Sequence, residues 1–245
     1  MTTFSDGNAT TQTFTSTAEI GALTGRDSSG FEIFSAGATG VAHDIAHQML
    51  DKGEHEAGYQ MLGAWLDAHD GQGSEWVHMQ WHMGVFELAL GYWDAAFARF
   101  HAEILPAAVD GEDALTDAPA MLWRLALAAP RSVELPWEAA HRRALESMER
   151  PSDPYVELHH LLALAGAGDL DGLDRWLSRR DSGESSRPRR LVARMAVALR
   201  AYAAGDYARA GWTLAETVPD LSEVGGSRAQ NELFADIERD CWRRV

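Results

Sequence analysis

The chain has 245 residues, 46% of them hydrophobic, so it can bury a sizeable core as one domain or two small ones. The formal net charge of −16 argues against a nucleic-acid-binding surface, and the single cysteine, Cys241, excludes a disulfide framework. There is no apolar run of membrane-spanning length and no secretory signal at the amino terminus. We therefore expect a cytoplasmic protein without a membrane partner.

The predicted elements are a tail followed by helices. Residues 1–30 are rich in Thr, Ser, Gly and Asp without an apolar period, which predicts a flexible polar tail. From residue 31 to 245 apolar residues recur at helical spacing, which predicts one α-helical repeat domain. The predicted helices follow in chain order: 36–50, one around 59–66, 75–90, 93–108 closed by Pro106, 113–125, 137–148, two within 154–177, two within 188–218, and a last helix from 226.

Four helix–turn–helix signatures set the architecture. Their turn glycines, Gly53, Gly91, Gly168 and Gly205, are 38, 77 and 37 residues apart, so one repeat with a longer, Pro-bounded loop lies in the middle step. Such a period is typical of stacked helical hairpins. We predict an all-α, tetratricopeptide-like solenoid of about five helix pairs plus a capping helix. The glycines are expected in a left-handed backbone conformation, and close helix contacts are expected at the alanines that follow them: Ala57, Ala95 and Ala208.

Histidines are concentrated on the helices before these turns. Positions counted back from each turn glycine indicate that they share one face of successive first helices, which line the concave side of such arrays. Asp117 and Glu157 are expected beside them. The predicted catalytic set is His43, His47, His78, His82, Asp117, Glu157 and His159.

Three functions fit this set. The leading hypothesis is a small-molecule enzyme in which one imidazole acts as general base, another as acid, and the carboxylates orient them, without an assigned metal ligand. The first alternative is a non-catalytic scaffold that binds a protein partner. The second alternative is a metal-dependent site, since His-x-x-x-His pairs present two imidazoles on one helix face. The cofactor, the reaction and self-association are left open, and the predicted substrate-binding residues are Trp81, Trp123, Arg124, Tyr155 and Gln230.

Arginines are densest between residues 187 and 200. This cluster has two interpretations: a solvated helix start that pairs with the acidic surface, or a site for an anionic ligand or a partner's carboxylates. The stretch from Ser227 to Gln230 likewise reads either as ligand-binding or as the capped first turn of a helix.

The chain resembles the tetratricopeptide repeat protein 38 family over about residues 36–235. The stretches that carry the resemblance are Ala42–His47, Val77–His82, Leu115–Ala118 with Met121–Leu125, Glu157–His159 and Gly225–Gln230. The resemblance implies an α-helical repeat fold with a shared polar pocket, and no particular reaction. This chain departs from the family by lacking its further amino-terminal helices, by Glu157 in place of an aspartate, and by Arg228 in place of a histidine.

Overall fold

The computed structural model describes residues 2–5, 11–14, 38–110, 114–130, 132–150, 152–179 and 186–245. The chain divides into two compact units, Met1–Gly71 and Gln72–Val245. This boundary falls inside the range for which the sequence predicts one domain, and that single domain stays a prediction. Most of the predicted tail, 1–30, and most of the polar loop before residue 187 lie outside the described residues.

The first unit contains a β-hairpin and a helical hairpin. Strands β1 (Thr2–Ser5) and β2 (Thr11–Phe14) pair antiparallel, with Phe4 opposite Gln12. These strands lie in the segment predicted to be a flexible polar tail, although their threonines and phenylalanines favour extended backbone. Helices α1 (Ala38–Lys52) and α2 (His55–Ala68) contact each other. Their apolar stripes bury residues such as Ile45 and Leu62, as the helical spacing predicts.

The regular elements among the described residues of the second unit are all helical, which agrees with the all-α prediction. Its elements are α3 (Ser74–Ala89), α4 (Trp93–Arg99), a π-helical turn (Phe100–Ile104), α5 (Leu105–Asp110), α6 (Ala114–Ala128), α7 (Trp137–Ser147), α8 (Pro154–Gly166), α9 (Leu170–Ser178), α10 (Arg187–Ala203), α11 (Tyr207–Thr217), a 3₁₀ turn (Val218–Glu223) and α12 (Arg228–Arg244).

Pro106 does not close its helix, contrary to the sequence prediction. The chain stays helical to Asp110, and a π-helical turn precedes the proline. In this turn the Leu105 N–H donates to the Phe100 carbonyl, five residues back. Proline lacks an N–H and its ring crowds the carbonyl four residues earlier, so a locally wider turn accommodates it.

The turn glycines adopt the predicted left-handed conformation. Gly53, Gly91, Gly168 and Gly205 have φ values of 71°, 79°, 72° and 78°. The predicted contact alanines are wrong by one or two positions: Ala95 and Ala208 are exposed and Ala57 is half-buried, whereas Gly58, Ala96 and Ala210 are buried. One residue turns a helix by about 100°, so a shift of one position moves a side chain off the contact face.

Packing in the second unit centres on α6. This helix contacts α3 and α8, and α8 in turn contacts α10. The last helix, predicted to cap the end of the array, contacts α6 as well as α11. The first turn of α12 is thereby positioned against α6.

Arginines along α10 pair with acidic side chains, as the first interpretation of this cluster predicts. Arg187 contacts Asp220 at 3.0 Å and Glu223 at 2.8 Å. Arg200 contacts Asp174 at 3.0 Å. These exposed ion pairs link neighbouring helices, and exposed pairs of this kind typically contribute about 0–1 kcal/mol to stability.

Candidate functional site

One pair of histidines lies on α1 in the first unit. His43 and His47 are one helical turn apart and half-buried, and their Nε2 atoms are 3.0 Å from each other. The two rings meet edge to face, with centroids 4.4 Å apart. Two ring nitrogens 3.0 Å apart are at hydrogen-bonding distance, and they are slightly closer than the roughly 3.3 Å between two nitrogens bound at about 2.0–2.1 Å to one tetrahedral zinc ion.

A second pair lies on α3 in the second unit. His82 is completely buried and His78 is half-buried. Their ring centroids are 4.7 Å apart at an interplanar angle of 76°. A ring nitrogen of His78 lies within 4.8 Å of a ring nitrogen of His82. The spacing of four residues thus brings two imidazoles together on one helix face.

A buried carboxylate orients the ring of His78. The Nδ1–H of His78 donates to Oδ2 of Asp117 on α6 at 2.9 Å, and Asp117 is only 5% exposed. Burial lowers the pKa of His78, but the hydrogen bond to Asp117 and the carboxylate's charge outweigh burial and raise it overall. This bond fixes the tautomer and leaves Nε2 as the nitrogen with a lone pair.

Three polar side chains, Arg99, Gln80 and Glu87, form a hydrogen-bonded group on the face of α3 opposite His78 and His82, and this group links α4 to α3. Arg99 of α4 donates to the buried carboxylate of Glu87 at 3.0 and 2.8 Å, and also to Gln80. Positions 80 and 87 lie roughly 140–200° around the helix from His78 and His82. This group was not among the predicted functional residues; its signal in the sequence is a pair of polar residues seven apart on an apolar helix.

Helix α8 adds a neutral histidine and a buried hydroxyl. The Nδ1–H of His159 donates to the carbonyl of Tyr155 at 2.8 Å. Burial lowers the pKa of His159 to about 4, against smaller upward effects of that hydrogen bond and of Asp117. Burial likewise raises the pKa of the Tyr155 hydroxyl, with Asp117 adding to the shift and Arg124 opposing it. At neutral pH both side chains are therefore uncharged.

Arg124 and Trp81 lie beside these groups. The guanidinium carbon of Arg124 is 5.7 Å from the centroid of the Trp81 ring, which is within cation–π range. Trp81 also stacks on His78, with centroids 5.6 Å apart. One nitrogen of Arg124 donates to the carbonyl of Ala229 in the first turn of α12. Trp81 therefore contacts both His78 and Arg124.

Glu157 is not grouped with His159, in contrast to the sequence prediction. Two residues on a helix differ by about 200°, so Glu157 projects from the other side of α8. Its carboxylate contacts Arg189 of α10 at 3.2 Å. This largely buried ion pair joins two helices and gives Glu157 a structural role.

Two of the predicted substrate-binding residues also have structural roles. The Trp123 indole N–H donates to the carbonyl of Leu162 at 2.8 Å. The Gln230 side chain accepts the N–H of Ser227 at 2.7 Å, while the Ser227 hydroxyl accepts the N–H of Gln230, so the two form a capping box at the start of α12. The helix-cap interpretation of this stretch is therefore confirmed.

A glycine in the loop before α12 was overlooked as part of the site. Gly226 has a φ of 80°, and a Cβ at this position would lie 2.5 Å from Cε2 of Tyr155. Only glycine lets the loop pass this close to the aromatic ring. The Gly-Gly pair in the sequence was the available signal.

No family model, curated protein or solved structure matches this chain. The resemblance to the tetratricopeptide repeat protein 38 family stays a prediction. Among the described helices, none is long and apolar enough to cross a membrane.

Proposed function

We propose that this protein binds divalent transition-metal ions at its His-x-x-x-His pairs, with each pair treated as a separate site, and that it uses the metal at His78 and His82 in the chemistry of a small molecule. Each pair supplies two imidazole nitrogens. The observation that carries the proposal is the hydrogen bond from His78 Nδ1 to Asp117, with His82 one turn away on the same helix. Metal-binding histidines almost always donate their other ring N–H to a carboxylate, carbonyl or water.

The geometry of the first pair supports the same chemistry. The Nε2 atoms of His43 and His47 are 3.0 Å apart, which is close to the roughly 3.3 Å between two nitrogens on one tetrahedral zinc ion. Imidazole ligands suit zinc, copper, iron and nickel. A metal held by such ligands would act as a Lewis acid and polarise an oxygen of the substrate.

Four further polar side chains of the second unit would bind the substrate or orient the groups that react with it. His159 is neutral at pH 7, with Nδ1 committed to the Tyr155 carbonyl, so its Nε2 is suited to accept a hydrogen bond from the substrate. Asp117 holds the ring of His78 in one tautomer and orientation. Arg124 and Tyr155 bind or orient the substrate.

Elemental analysis of protein purified without a histidine tag tests the proposal. We expect a transition metal at close to stoichiometric level, retained through gel filtration. The double substitutions His43→Ala/His47→Ala and His78→Ala/His82→Ala should each lower the metal content, because each removes both histidines of one pair. His101→Ala is the matched control, since His101 is exposed on the π-helical turn.

Two results would contradict the metal proposal. One is a substoichiometric content of every transition metal in the wild-type protein. The other is an unchanged metal content in a folded His78→Ala/His82→Ala variant, with folding checked by circular dichroism.

A second candidate is metal-free acid–base catalysis by His78 and Asp117. The same 2.9 Å bond favours it, because a carboxylate that orients an imidazole is also the arrangement of hydrolase dyads. A substrate turned over at an unchanged rate after removal of all metal would support this candidate over the first.

A further inference from the structure

We infer that Arg124, Tyr155 and Trp81 form a subsite for an anionic group of a small molecule, a carboxylate or a phosphate. This inference rests on the proposed function only in treating the anion as the far end of the molecule that reacts near His78. The subsite itself lies in the second unit, on α3, α6 and α8.

The charge of Arg124 lacks a carboxylate partner. Within the described part of the chain its guanidinium forms no ion pair, and its Nε is buried without a hydrogen-bond acceptor. The acidic side chains that act on it from a distance, Glu232 and Asp236, are themselves paired with Arg228 and Arg239. Arginine stays protonated in proteins, so this buried side of the guanidinium carries an uncompensated positive charge.

Two further donors near Arg124 lack acceptors. The indole N–H of Trp81, a completely buried residue, and the buried hydroxyl of Tyr155 have no hydrogen-bond partner among the described residues. Arg124 lies over the Trp81 ring, and its charge acts on Tyr155. Buried polar groups are normally satisfied, so three neighbouring donors indicate a ligand rich in acceptor oxygens.

The position of the subsite relative to His78 indicates the shape of the small molecule that binds there. Asp117, which holds His78, and Arg124 are both on α6 and seven residues apart, so they share a face at about 10 Å along the helix. Trp81 contacts both His78 and the guanidinium and lies between them as an apolar wall. The molecule is therefore elongated, with an anion at Arg124 and its reactive end at His78.

Isothermal titration calorimetry with sodium glutarate and with sodium phosphate tests the subsite, with sodium chloride at matched ionic strength as the blank. We expect one of the two anions to bind the wild-type protein at concentrations up to about 10 mM, an affinity within reach of a single charged site. Arg124→Met should weaken this binding roughly 10- to 100-fold, and Tyr155→Phe by a smaller factor. Arg200→Met, which removes an exposed, ion-paired arginine, should leave it unchanged.

Thermal unfolding separates a binding role from a structural one. Without anion, Arg124→Met should unfold at the same temperature as wild type or higher, because it removes an uncompensated charge while keeping the apolar stem. If Arg124 had only a structural role, Arg124→Met would lower the unfolding temperature and leave the anion affinity unchanged.

The same titration on His78→Ala/His82→Ala protein treated with EDTA distinguishes this inference from the metal proposal. Retained anion binding there, together with its loss in Arg124→Met, supports the subsite even where no metal is bound. Absence of binding of both anions to wild type, or binding that persists in Arg124→Met, would overturn the inference.

Discussion

At the scale of single residues, the site depends on which atom of each side chain is already occupied. His78 donates Nδ1 to Asp117 and His159 donates Nδ1 to a backbone carbonyl, so in each ring the proton is located and Nε2 is the basic nitrogen. Trp123 and Gln230 have equally polar side chains, but their hydrogen bonds are used within the fold. Residue type alone does not separate these two groups, because a hydrogen-bond partner on another helix decides between them.

Replacing Asp117 tests its positioning role. Asp117→Ala should weaken metal binding by about 10- to 100-fold without removing a ligand, because the ring of His78 loses its orientation. Asp117→Asn, whose amide oxygen still accepts from Nδ1, should restore part of the affinity. Competition with a chromophoric chelator measures both, with the exposed Asp174→Ala as control. Equal affinities for wild type and Asp117→Ala would show that this carboxylate has no part in metal binding.

At the scale of elements, the sequence predicted the helices well because their signals are local. Apolar spacing and the turn glycines depend on neighbours within a few residues, and the glycines have the expected positive φ. Predictions that required a rotation between helices were less accurate. Glu157 projects away from His159, and the buried small residues Gly58, Ala96 and Ala210 are one or two positions from the predicted alanines, because each residue turns a helix by about 100°. Likewise, the sequence alone could not show that Asp117 faces His78, because that depends on how α6 packs against α3.

The left-handed backbone conformation of the turn glycines can be tested by substitution. Gly168 has a φ of 72° and open space where a Cβ would be, so Gly168→Ala changes only the backbone preference. We expect a destabilisation of about 1–2 kcal/mol in urea unfolding. Gly40→Ala, at a helical position with equally open space, should be neutral or stabilising by up to about 1 kcal/mol. Equal effects of the two substitutions would contradict a left-handed turn at Gly168.

At the scale of the whole molecule, buried histidines couple stability to pH. Burial lowers the pKa of both His159 and His160 to about 4, with the neighbouring ring adding to the shift of His160. An unfolded histidine titrates near 6.5, so between about pH 6.5 and 4 the unfolded chain binds more protons than the folded protein. The free energy of unfolding therefore decreases as pH falls through this range. His78 acts in the opposite sense, because its raised pKa gives stability at low pH that is lost as pH rises.

His160→Leu isolates one of these contributions. Neither ring nitrogen of His160 has a hydrogen-bond partner among the described residues, so leucine loses little in the folded protein. The variant should reduce the loss of stability between pH 6.5 and 4 by about 1–3 kcal/mol, since one pKa unit corresponds to about 1.4 kcal/mol. Urea unfolding followed by tryptophan fluorescence at several pH values measures this, with His101→Leu as the exposed control. A pH profile identical to that of wild type would mean that His160 titrates normally.

The central claim concerns metal binding by histidine pairs, and X-ray absorption at the metal edge tests it most directly. The sample is protein purified without a tag and loaded with its most tightly bound metal. We predict a first shell that contains at least two imidazole nitrogens at about 2.0–2.1 Å if the metal is zinc, with the multiple scattering that imidazole rings produce. The imidazole signal should decrease in His78→Ala/His82→Ala. A shell of oxygen ligands alone, or no retained metal, would contradict the claim.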